Sequence, residues 1–169
     1  NGNYFRVGRT DSFGGVEDTN AAIISFESDG DLSWNKTWSQ DYPGSWDEAI
    51  SVASIIGGGF VIVGEAGDLP FISKYDNGGN VLWSKLWSGG SFDEFRSVVL
   101  SNDGGYLIGG RTDSFASLNS EYFLLVKYFS DGSLISCSSP MCDNASISET
   151  TPNANIDTLV SNPNATYTD

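Results

Sequence analysis

Short apolar runs alternate along this chain with clusters of Gly, Asn, Asp, Ser and Pro. In one run, Trp34, Lys36 and Trp38 fall on one side of an extended chain. Asn35 and Thr37 fall on the other side, and this two-residue period is typical of a β-strand. No stretch of useful length shows the period of an amphipathic helix, so the pattern predicts an all-β protein.

Three motifs recur along the chain, each at an offset near 50 residues or near twice that value. They are W-x-K-x-W at 34–38 and 83–87, a Gly pair with an aromatic residue and an apolar run at 58–64 and 104–110, and Arg-Thr-Asp-Ser-Phe at 9–13 and 111–115. The Trp motif, for example, has an offset of 83 − 34 = 49 residues. A period of roughly 45–50 residues is typical of propeller blades and other repeat arrays.

Each repeat contains four short runs of residues that favour β-structure. In the central repeat we predict strands at 60–66, 70–75, 81–88 and 95–100. The segments 76–79 and 130–132 are predicted to be hairpin turns, because Asn and Gly tolerate a positive φ. Four strands per repeat is the content of one propeller blade.

These motifs resemble the repeats of secreted β-propeller-like proteins of bacteria and archaea. The resemblance rests on the Trp motif with its following Gly pair, on Asp-Glu, on Asp-Gly-Gly-Tyr, and on an apolar strand that ends in Lys-Tyr. The segment 76–83, Asp-Asn-Gly-Gly-Asn-Val-Leu-Trp, is also distantly similar to the run that closes each blade in quinoprotein repeats. The resemblance covers about residues 1–135.

The resemblance implies an all-β, propeller-like array of about two and a half to three four-stranded antiparallel repeats, followed by an extended C-terminal tail. We therefore divide the chain into a repeat domain, 1–136, and a tail, 137–169. A closed propeller typically has 4–8 blades. The chain is then part of a larger array, or it closes by another route, or neighbouring copies complete it.

The chain carries a net charge of −14 and has no cluster of Lys and Arg that could neutralise phosphates, so we expect no nucleic-acid partner. It contains no apolar run of 18 residues, so we expect no membrane span. The acidity favours solubility or, alternatively, Ca²⁺ binding at acidic turns such as 29–31. No loop has the D-x-D-x-D-G spacing of a calcium loop, and we predict no other cofactor.

Histidine is absent, which removes the commonest general base and the commonest metal ligand. Ser-His-Asp and Cys-His chemistry is therefore excluded within this chain. Carboxylate pairs occur at 47–48 and 93–94, but they recur at matching repeat positions, which favours a structural role. We expect that the protein is not an enzyme.

The two cysteines, Cys137 and Cys142, are separated by Ser-Ser-Pro-Met. This close spacing around a proline favours a small disulfide loop. A metal site is the alternative, but two thiols without histidine do not complete a tetrahedral site. A disulfide implies an oxidising compartment, so we expect an extracellular or cell-surface protein.

Three N-x-S/T sequons, at Asn35, Asn144 and Asn164, are candidates for covalent glycans. Asn35 and Thr37 lie opposite the two Trp residues of their strand, so we expect Asn35 to point to solvent. The other two sequons lie in the polar tail, where a glycan meets no steric conflict. Chance is the alternative explanation, because a chain rich in Asn, Ser and Thr produces such triplets often.

Four tryptophans of the repeated motif allow two interpretations. They are Trp34, Trp38, Trp83 and Trp87. Rings that recur in every repeat usually pack in a core, since each buries about 150–250 Å². Alternatively, the rings form a platform on which a sugar stacks.

The tail is rich in Asn, Ser, Thr, Asp and Pro, and contains an apolar patch formed by Ile156, Leu159 and Val160. Its composition is that of a disordered linker or stalk. Alternatively, the patch anchors a strand that adds to the open sheet edge of a neighbouring subunit. Such an addition would produce a head-to-tail polymer.

These observations together predict an extracellular structural or scaffold glycoprotein that self-associates into a homo-oligomer or fibre. The alternative is a carbohydrate- or protein-binding module of a larger secreted β-propeller. An enzyme fragment of the quinoprotein type does not fit, because the residues that would hold its cofactor and metal have no match here.

Overall fold

The computed structural model describes residues 3–11, 19–40, 46–88, 90–114, 121–134 and 154–158, and these residues contain β-strands and no helix. The strands are β1 (Tyr4–Thr10), β2 (Asn20–Phe26), β3 (Leu32–Gln40), β4 (Asp47–Ser54), β5 (Phe60–Ala66), β6 (Leu69–Tyr75), β7 (Val81–Leu86), β8 (Asp93–Leu100), β9 (Tyr106–Thr112), β10 (Tyr122–Tyr128) and β11 (Ala154–Thr158). The prediction of an all-β protein is confirmed.

The strands form three sheets in which every pair of neighbours is antiparallel. Sheet 1 has the order β1-β2-β3-β11, sheet 2 the order β4-β5-β6-β7, and sheet 3 the order β8-β9-β10. The Gly79 N–H donates to the Asp76 carbonyl at 3.1 Å, and the Gly132 N–H donates to the Phe129 carbonyl at 3.0 Å. Both predicted hairpin turns are therefore confirmed.

Two apolar cores hold the sheets together, one on each face of sheet 2. In β5, Phe60 and Ile62 pack toward sheet 1, whereas Val61 and Val63 pack toward sheet 3. A strand that is covered on both faces needs a continuous apolar run rather than an alternating one. Each of these buried side chains stabilises the fold by about 1.5–3 kcal/mol.

Sheets 1 and 3 each have one face that the other described residues leave uncovered, and the described sheets do not close into a ring. In β10, Leu124 and Val126 are buried against sheet 2, whereas Phe123 and Leu125 are exposed. This alternation is typical of an antiparallel strand with one solvated face. Sheet 2 is therefore the central layer of a row of three.

The first two strands of sheets 2 and 3 share the same irregularity. The register shifts after Ala49 in β4 and after Phe95 in β8, and these positions are 95 − 49 = 46 residues apart. Gly64 and Gly110 lie opposite the two bulges, and a Cβ on either would lie 1.9 Å from a carbonyl oxygen of the bulged strand. Only glycine permits this approach, which explains why glycine recurs in the motif.

The grouping of the strands differs from the prediction. The predicted strand at 95–100 is part of β8, which belongs to sheet 3 and not to the sheet of the other three predicted strands. The first strand of sheet 2 is β4, whose small and charged residues carry a weak apolar signal. The predicted strand at 81–88 ends earlier, at Leu86, although the Trp87 N–H still donates to the Pro70 carbonyl at 2.9 Å.

Part of the tail belongs to sheet 1. In the antiparallel pair β11–β3, Ile156 lies opposite Trp38 and Thr158 lies opposite Lys36. Residues 154–158 therefore do not stand apart from the repeat domain. The other tail residues singled out by the sequence lie outside the described residues, namely Cys137, Cys142, Asn144, Leu159, Val160 and Asn164.

Candidate functional site

The repeated tryptophans divide into two classes. Trp38 and Trp87 are each 1% exposed, so neither ring is open to a sugar. Trp38 stacks on Phe71 with a ring-centroid distance of 4.6 Å, which places it in the core between sheets 1 and 2. Trp34 and Trp83 are partly buried and pack at the edges of the two cores.

Trp34 and Trp83 make the same contact with the next sheet in the row. A Cβ on Gly79 would lie 2.7 Å from the Trp34 ring, and a Cβ on Gly132 would lie 2.8 Å from the Trp83 ring. Both glycines adopt a positive φ, of 71° and 84°, which a residue with a side chain rarely adopts. The ring faces are therefore covered by hairpin turns, and sugar stacking has no support at these two positions.

A lysine of β3 reinforces the first of these contacts. The Lys36 ammonium donates to the Gly79 carbonyl at 2.7 Å, and the Trp34 Nε1–H donates to the Asn77 carbonyl at 3.1 Å. The spacing of the repeated motif W-x-K-x-W thus places a ring and a cation on one side of the strand. The motif fastens one sheet to the turn of the next.

Two arginines at matching repeat positions bind acidic residues and lie over exposed aromatic rings. The Arg9 guanidinium lies 3.1 Å from a Glu48 carboxylate oxygen and 4.5 Å from the centre of the Trp46 ring. Trp46 is half exposed and directly precedes β4 of sheet 2, whereas Arg9 lies in β1 of sheet 1. The pair therefore joins two sheets at their solvent-facing rim.

Arg111 forms a denser cluster in sheet 3. Its guanidinium contacts Glu94 and lies 2.7 Å from Glu121, while Arg96 contacts Glu94 from the other side. The Arg111 guanidinium also lies 5.0 Å from the centre of the Phe92 ring. The Glu94 side chain is almost buried, so these two arginines supply the charge that its carboxylate needs.

A second carboxylate, that of Glu65 in β5, meets Glu94 between sheets 2 and 3. Burial, the hydrogen bond to Glu94 and the negative charge of Glu94 raise the pKa of Glu65 to about 7. Burial also acts to raise the pKa of Glu94, but hydrogen bonds from Glu65, Arg96 and Arg111 outweigh it and hold that pKa below its usual range. The two carboxyls share a proton, as close acid pairs do.

This acid pair does not have the geometry of a glycosidase site. Two catalytic carboxyls of that class stand about 5–9.5 Å apart so that a glycosidic bond fits between them. Glu65 and Glu94 are hydrogen-bonded to each other instead. Their arrangement links two sheets and leaves no room for a sugar between the carboxyls.

The repeated aspartates 47 and 93 have structural partners. Asp47 is fully buried and accepts a hydrogen bond from the Gly67 N–H at 3.0 Å. Asp93 is buried and accepts hydrogen bonds from the hydroxyls of Thr112 and Ser114. Each carboxylate thus links the start of β4 or β8 to the segment that follows the neighbouring strand. These contacts agree with a structural role for the two aspartates.

The outer face of sheet 3 carries exposed apolar side chains, with Arg111 opposite Phe123 and Lys127 opposite Leu107 on the same face. Phe123, Leu125 and Val99 are 77%, 59% and 51% exposed, respectively. By strand register, Leu125 lies opposite Gly109, and Val99 lies opposite Leu107, on one side of the sheet. Large side chains at this exposure are a signal of an interaction surface.

The outer face of sheet 1 is more polar. Its central row is Arg6, Ile24 and Asn35, in register across β1, β2 and β3. Asn35 does lie opposite the two core tryptophans, but it is partly buried, and Thr37 of its sequon is only 3% exposed. Glycosylation at Asn35 stays a prediction, and its hydroxyl partner is less open to solvent than expected.

The repeated sequence suggests that Arg9 and Arg111 pair with nearby acids such as Asp11 and Asp113, whereas the structure places Arg9 beside Glu48, and Arg111 beside Glu94 and Glu121. The signal for the two clusters was present, because Arg-Thr-Asp-Ser-Phe recurs and an aromatic residue precedes each Asp-Glu pair. Among the described residues, no group of three or more acidic, Cys or His side chains could hold a metal ion. The described part of the chain also has no helix long and apolar enough to cross a membrane.

Comparison with known proteins adds no assignment. No protein-family model matches the chain, and no curated protein shows significant sequence similarity to it. The functional argument therefore rests on the geometry of the sheets and on their exposed faces and edges.

Proposed function

We propose that this chain is an extracellular structural glycoprotein whose three sheets are blades of a propeller-like array, and that copies assemble head-to-tail into a homo-oligomer or fibre. The outer face of sheet 3 carries this proposal. Leu125 is exposed there, whereas Ile72, which holds the same register position in sheet 2, is fully buried beneath sheet 3. The face of sheet 2 that carries Ile72 is thus covered by the next sheet, whereas the equivalent face of sheet 3 is exposed.

The contacts between sheets support a propeller-like array. Trp34 meets Gly79 where sheet 1 joins sheet 2, and Trp83 meets Gly132 where sheet 2 joins sheet 3. Each sheet therefore contacts the next in the same way. An array built from nearest-neighbour contacts of this kind accepts a further unit at its end.

Sequence features support the compartment. The close pair Cys137 and Cys142 favours a disulfide, which forms in an oxidising environment. Three sequons favour glycosylation, which is typical of secreted proteins. The carboxylates that recur in the repeats bind structural partners, which supports a role other than catalysis.

A binding module of a larger secreted β-propeller is the second candidate. The same apolar face favours it, because another blade rather than another copy would then cover sheet 3. Arg9 with Trp46, and Arg111 with Phe92, would offer a cation beside an exposed ring to a carbohydrate or protein ligand. Such a module stays monodisperse and responds to its ligand through tryptophan fluorescence.

The first test compares the assembly of wild-type protein with that of two lysine variants, by sedimentation velocity and negative-stain electron microscopy over a range of concentrations. Leu125→Lys places a charge on the outer face of sheet 3. Leu82→Lys is the matched control, because Leu82 is 57% exposed but lies in β7 of sheet 2. We expect fibres or oligomers from wild-type protein and from Leu82→Lys, and a strong loss of assembly for Leu125→Lys.

Monodisperse wild-type protein at every concentration would contradict self-assembly. Ligand-dependent fluorescence of that monomer would then support the binding module. Equal assembly of both lysine variants would show that the outer face of sheet 3 is not part of the joint.

A further inference from the structure

Among the described residues, sheet 1 has no counterpart of the first strand of sheets 2 and 3. The repeated pentapeptide begins at Arg9 and at Arg111, so β1 corresponds to β9. In sheet 3, β9 pairs with β8, and in sheet 2 the corresponding β5 pairs with β4. No strand among the described residues pairs with the equivalent edge of β1. An open edge of this kind presents unpaired N–H and C=O groups to any available strand.

The missing strand leaves a gap in the burial of sheet 1. Val61 and Val63 of β5 are fully buried. Phe5 and Val7, which hold the same register positions in β1, are only partly buried. The first strand β4 also contacts β8, and sheet 1 has no described counterpart of that contact. A first strand on β1 would cover these two side chains.

The tail contains a segment with the pattern of a first strand. Residues 158–162 are Thr-Leu-Val-Ser-Asn, and residues 98–102, at the end of β8, are Val-Val-Leu-Ser-Asn. The last two residues are identical, and the first three are β-branched or apolar in both. After β8 the chain continues with Asp-Gly-Gly-Tyr into β9, and Asn-Gly-Asn-Tyr leads into β1. The tail segment therefore resembles β8, and β1 resembles β9, so the two could pair as β8 pairs with β9.

We propose that residues 154–162 of one copy add to the open edge of β1 in a second copy, as the first strand of its sheet 1. This inference rests on the proposed head-to-tail assembly and adds a second contact to the one at the outer face of sheet 3. The register of β8 on β9 transfers to the new pair. Val160 then lies opposite Tyr4, Leu159 opposite Phe5, and Thr158 opposite Arg6.

The register gives Leu159 a place in the core. In the proposed register Leu159 is equivalent to Val99 of β8, and Val99 is equivalent to Ala53 of β4. Ala53 packs against the core between sheets 2 and 3. In sheet 1 the same position faces the core between sheets 1 and 2, beside Phe5. The described pairing with β3 covers residues 154–158.

The geometry favours a second copy over the same chain. The described β11 lies beside β3, and β1 is two strands farther across sheet 1. Neighbouring strands are about 4.8 Å apart, so the segment would have to move by four spacings, about 19 Å, across its own sheet to lie beside β1. Each copy offers one tail segment and one open edge, which is a heterologous contact that continues from copy to copy.

A pair of cysteine variants tests this register. The Val98 N–H donates to the Ser51 hydroxyl at 3.2 Å, away from β9, so Val98 and Ile108 form a pair without mutual hydrogen bonds. The Cα atoms of such a pair are about 4.5 Å apart, within the range of a disulfide. Thr158→Cys and Arg6→Cys should therefore form a disulfide when the two separately purified variants are mixed, assembled and oxidised.

A second pair is the matched control for the described position of the tail. Thr158 lies opposite Lys36 in the pair β11–β3, so a double variant with Thr158→Cys and Lys36→Cys closes within one chain if the tail stays there. Wild-type protein controls for the native cysteines. Circular dichroism confirms that each variant keeps its β-structure. Peptide mapping by mass spectrometry identifies the linked residues.

We expect a link between residues 6 and 158 in the mixture, and its loss when Leu159→Asp is added to the Thr158→Cys variant. Fibres without this link, together with closure between residues 36 and 158, would overturn the inference and leave the proposed assembly standing. In a further double variant, with Arg6→Cys and Thr158→Cys in one chain, a link between 6 and 158 that closes within the monomer, with none in the mixture, would overturn the role of the second copy. Absence of any assembly would contradict the proposed function as well.

Discussion

The two end sheets are built from the same repeat, yet their outer faces differ in chemistry. Sheet 1 presents Arg6 and Asn35, whereas sheet 3 presents Phe123 and Leu125. Repeat arrays place polar residues on an end that faces water. This difference in the exposed side chains is the observation on which the proposed assembly rests.

The polar residues of sheet 1 occur where the other sheets have buried side chains. Arg6 corresponds to Ile108 in sheet 3, which is fully buried, and Asn35 corresponds to Ser84 in sheet 2, which is 6% exposed. A charged residue is costly to bury without a partner. A sheet that packs on this face must therefore bring a partner for the Arg6 guanidinium.

The largest effect expected from this comparison concerns Ile72 and Leu125, which share a register position. Ile72→Ala removes a fully buried side chain and should lower the free energy of unfolding by about 2–5 kcal/mol. Leu125→Ala removes an exposed side chain and should change it by less than about 0.5 kcal/mol in the monomer. Chemical denaturation at low protein concentration measures both, and equal losses would contradict the assigned exposure.

Substitution of the two repeated arginines should lower the free energy of unfolding by intermediate amounts that differ between the two positions. Arg111→Ala leaves the nearly buried Glu94 with Arg96 alone and should cost about 1–2 kcal/mol, because Arg111 is itself partly exposed. Arg9→Ala removes an exposed ion pair with Glu48 and should cost about 0–1 kcal/mol. Lysine at each position is the control that keeps the charge. A larger loss at Arg9 than at Arg111 would reverse the comparison.

The smallest effect is a pH dependence confined to the junction of sheets 2 and 3. The pKa of Glu65 is raised in the folded state from 4.5 to about 7, so its contribution is complete below pH 4.5 and is lost as the pH rises toward 7. The pKa of Glu94 is lowered in the folded state, so this group acts in the opposite sense. Its contribution to the free energy of unfolding is complete above its ordinary pKa and is lost only as the pH falls below that value. Solvent screening of the partly exposed Glu65 leaves about 1 kcal/mol of this effect.

Denaturation of wild-type protein at pH 5 and pH 8 should therefore show lower stability at pH 8, and Glu65→Gln should remove most of the difference. Glu48→Gln is the control at the junction of sheets 1 and 2. A pH response that survives in Glu65→Gln would assign the effect to other groups.

Local pattern predicted much of the fold. The period of two in the Trp motif placed Trp34 and Trp38 toward a core and Asn35 on the opposite face, and the Gly-rich segments marked the hairpin turns. These features depend on neighbours in sequence, where residue type alone limits φ and ψ. The first strand β4 was missed because its apolar residues are small.

Partners distant in sequence could not be predicted. Nothing in the local pattern joins Glu65 to Glu94, since they lie on different sheets and meet only when those sheets pack. The repeat also suggested that the four tryptophans are alike, but Trp38 is buried and Trp34 lies under a hairpin turn. Burial depends on the sheet that covers a residue.

The sequence by itself determined that this chain is all-β, that it repeats, and where its turns lie, because alternation, glycine and short apolar runs act through the local backbone. Only the tertiary structure decided which of the described sheets lies in the middle, and which faces and which edge the other described residues leave uncovered. Corresponding residues such as Ile72 and Leu125 meet different surroundings because one sheet has neighbours on both sides and the other has a neighbour on one. Position in the row, rather than residue type, therefore decides whether a given residue of the repeat is buried or exposed.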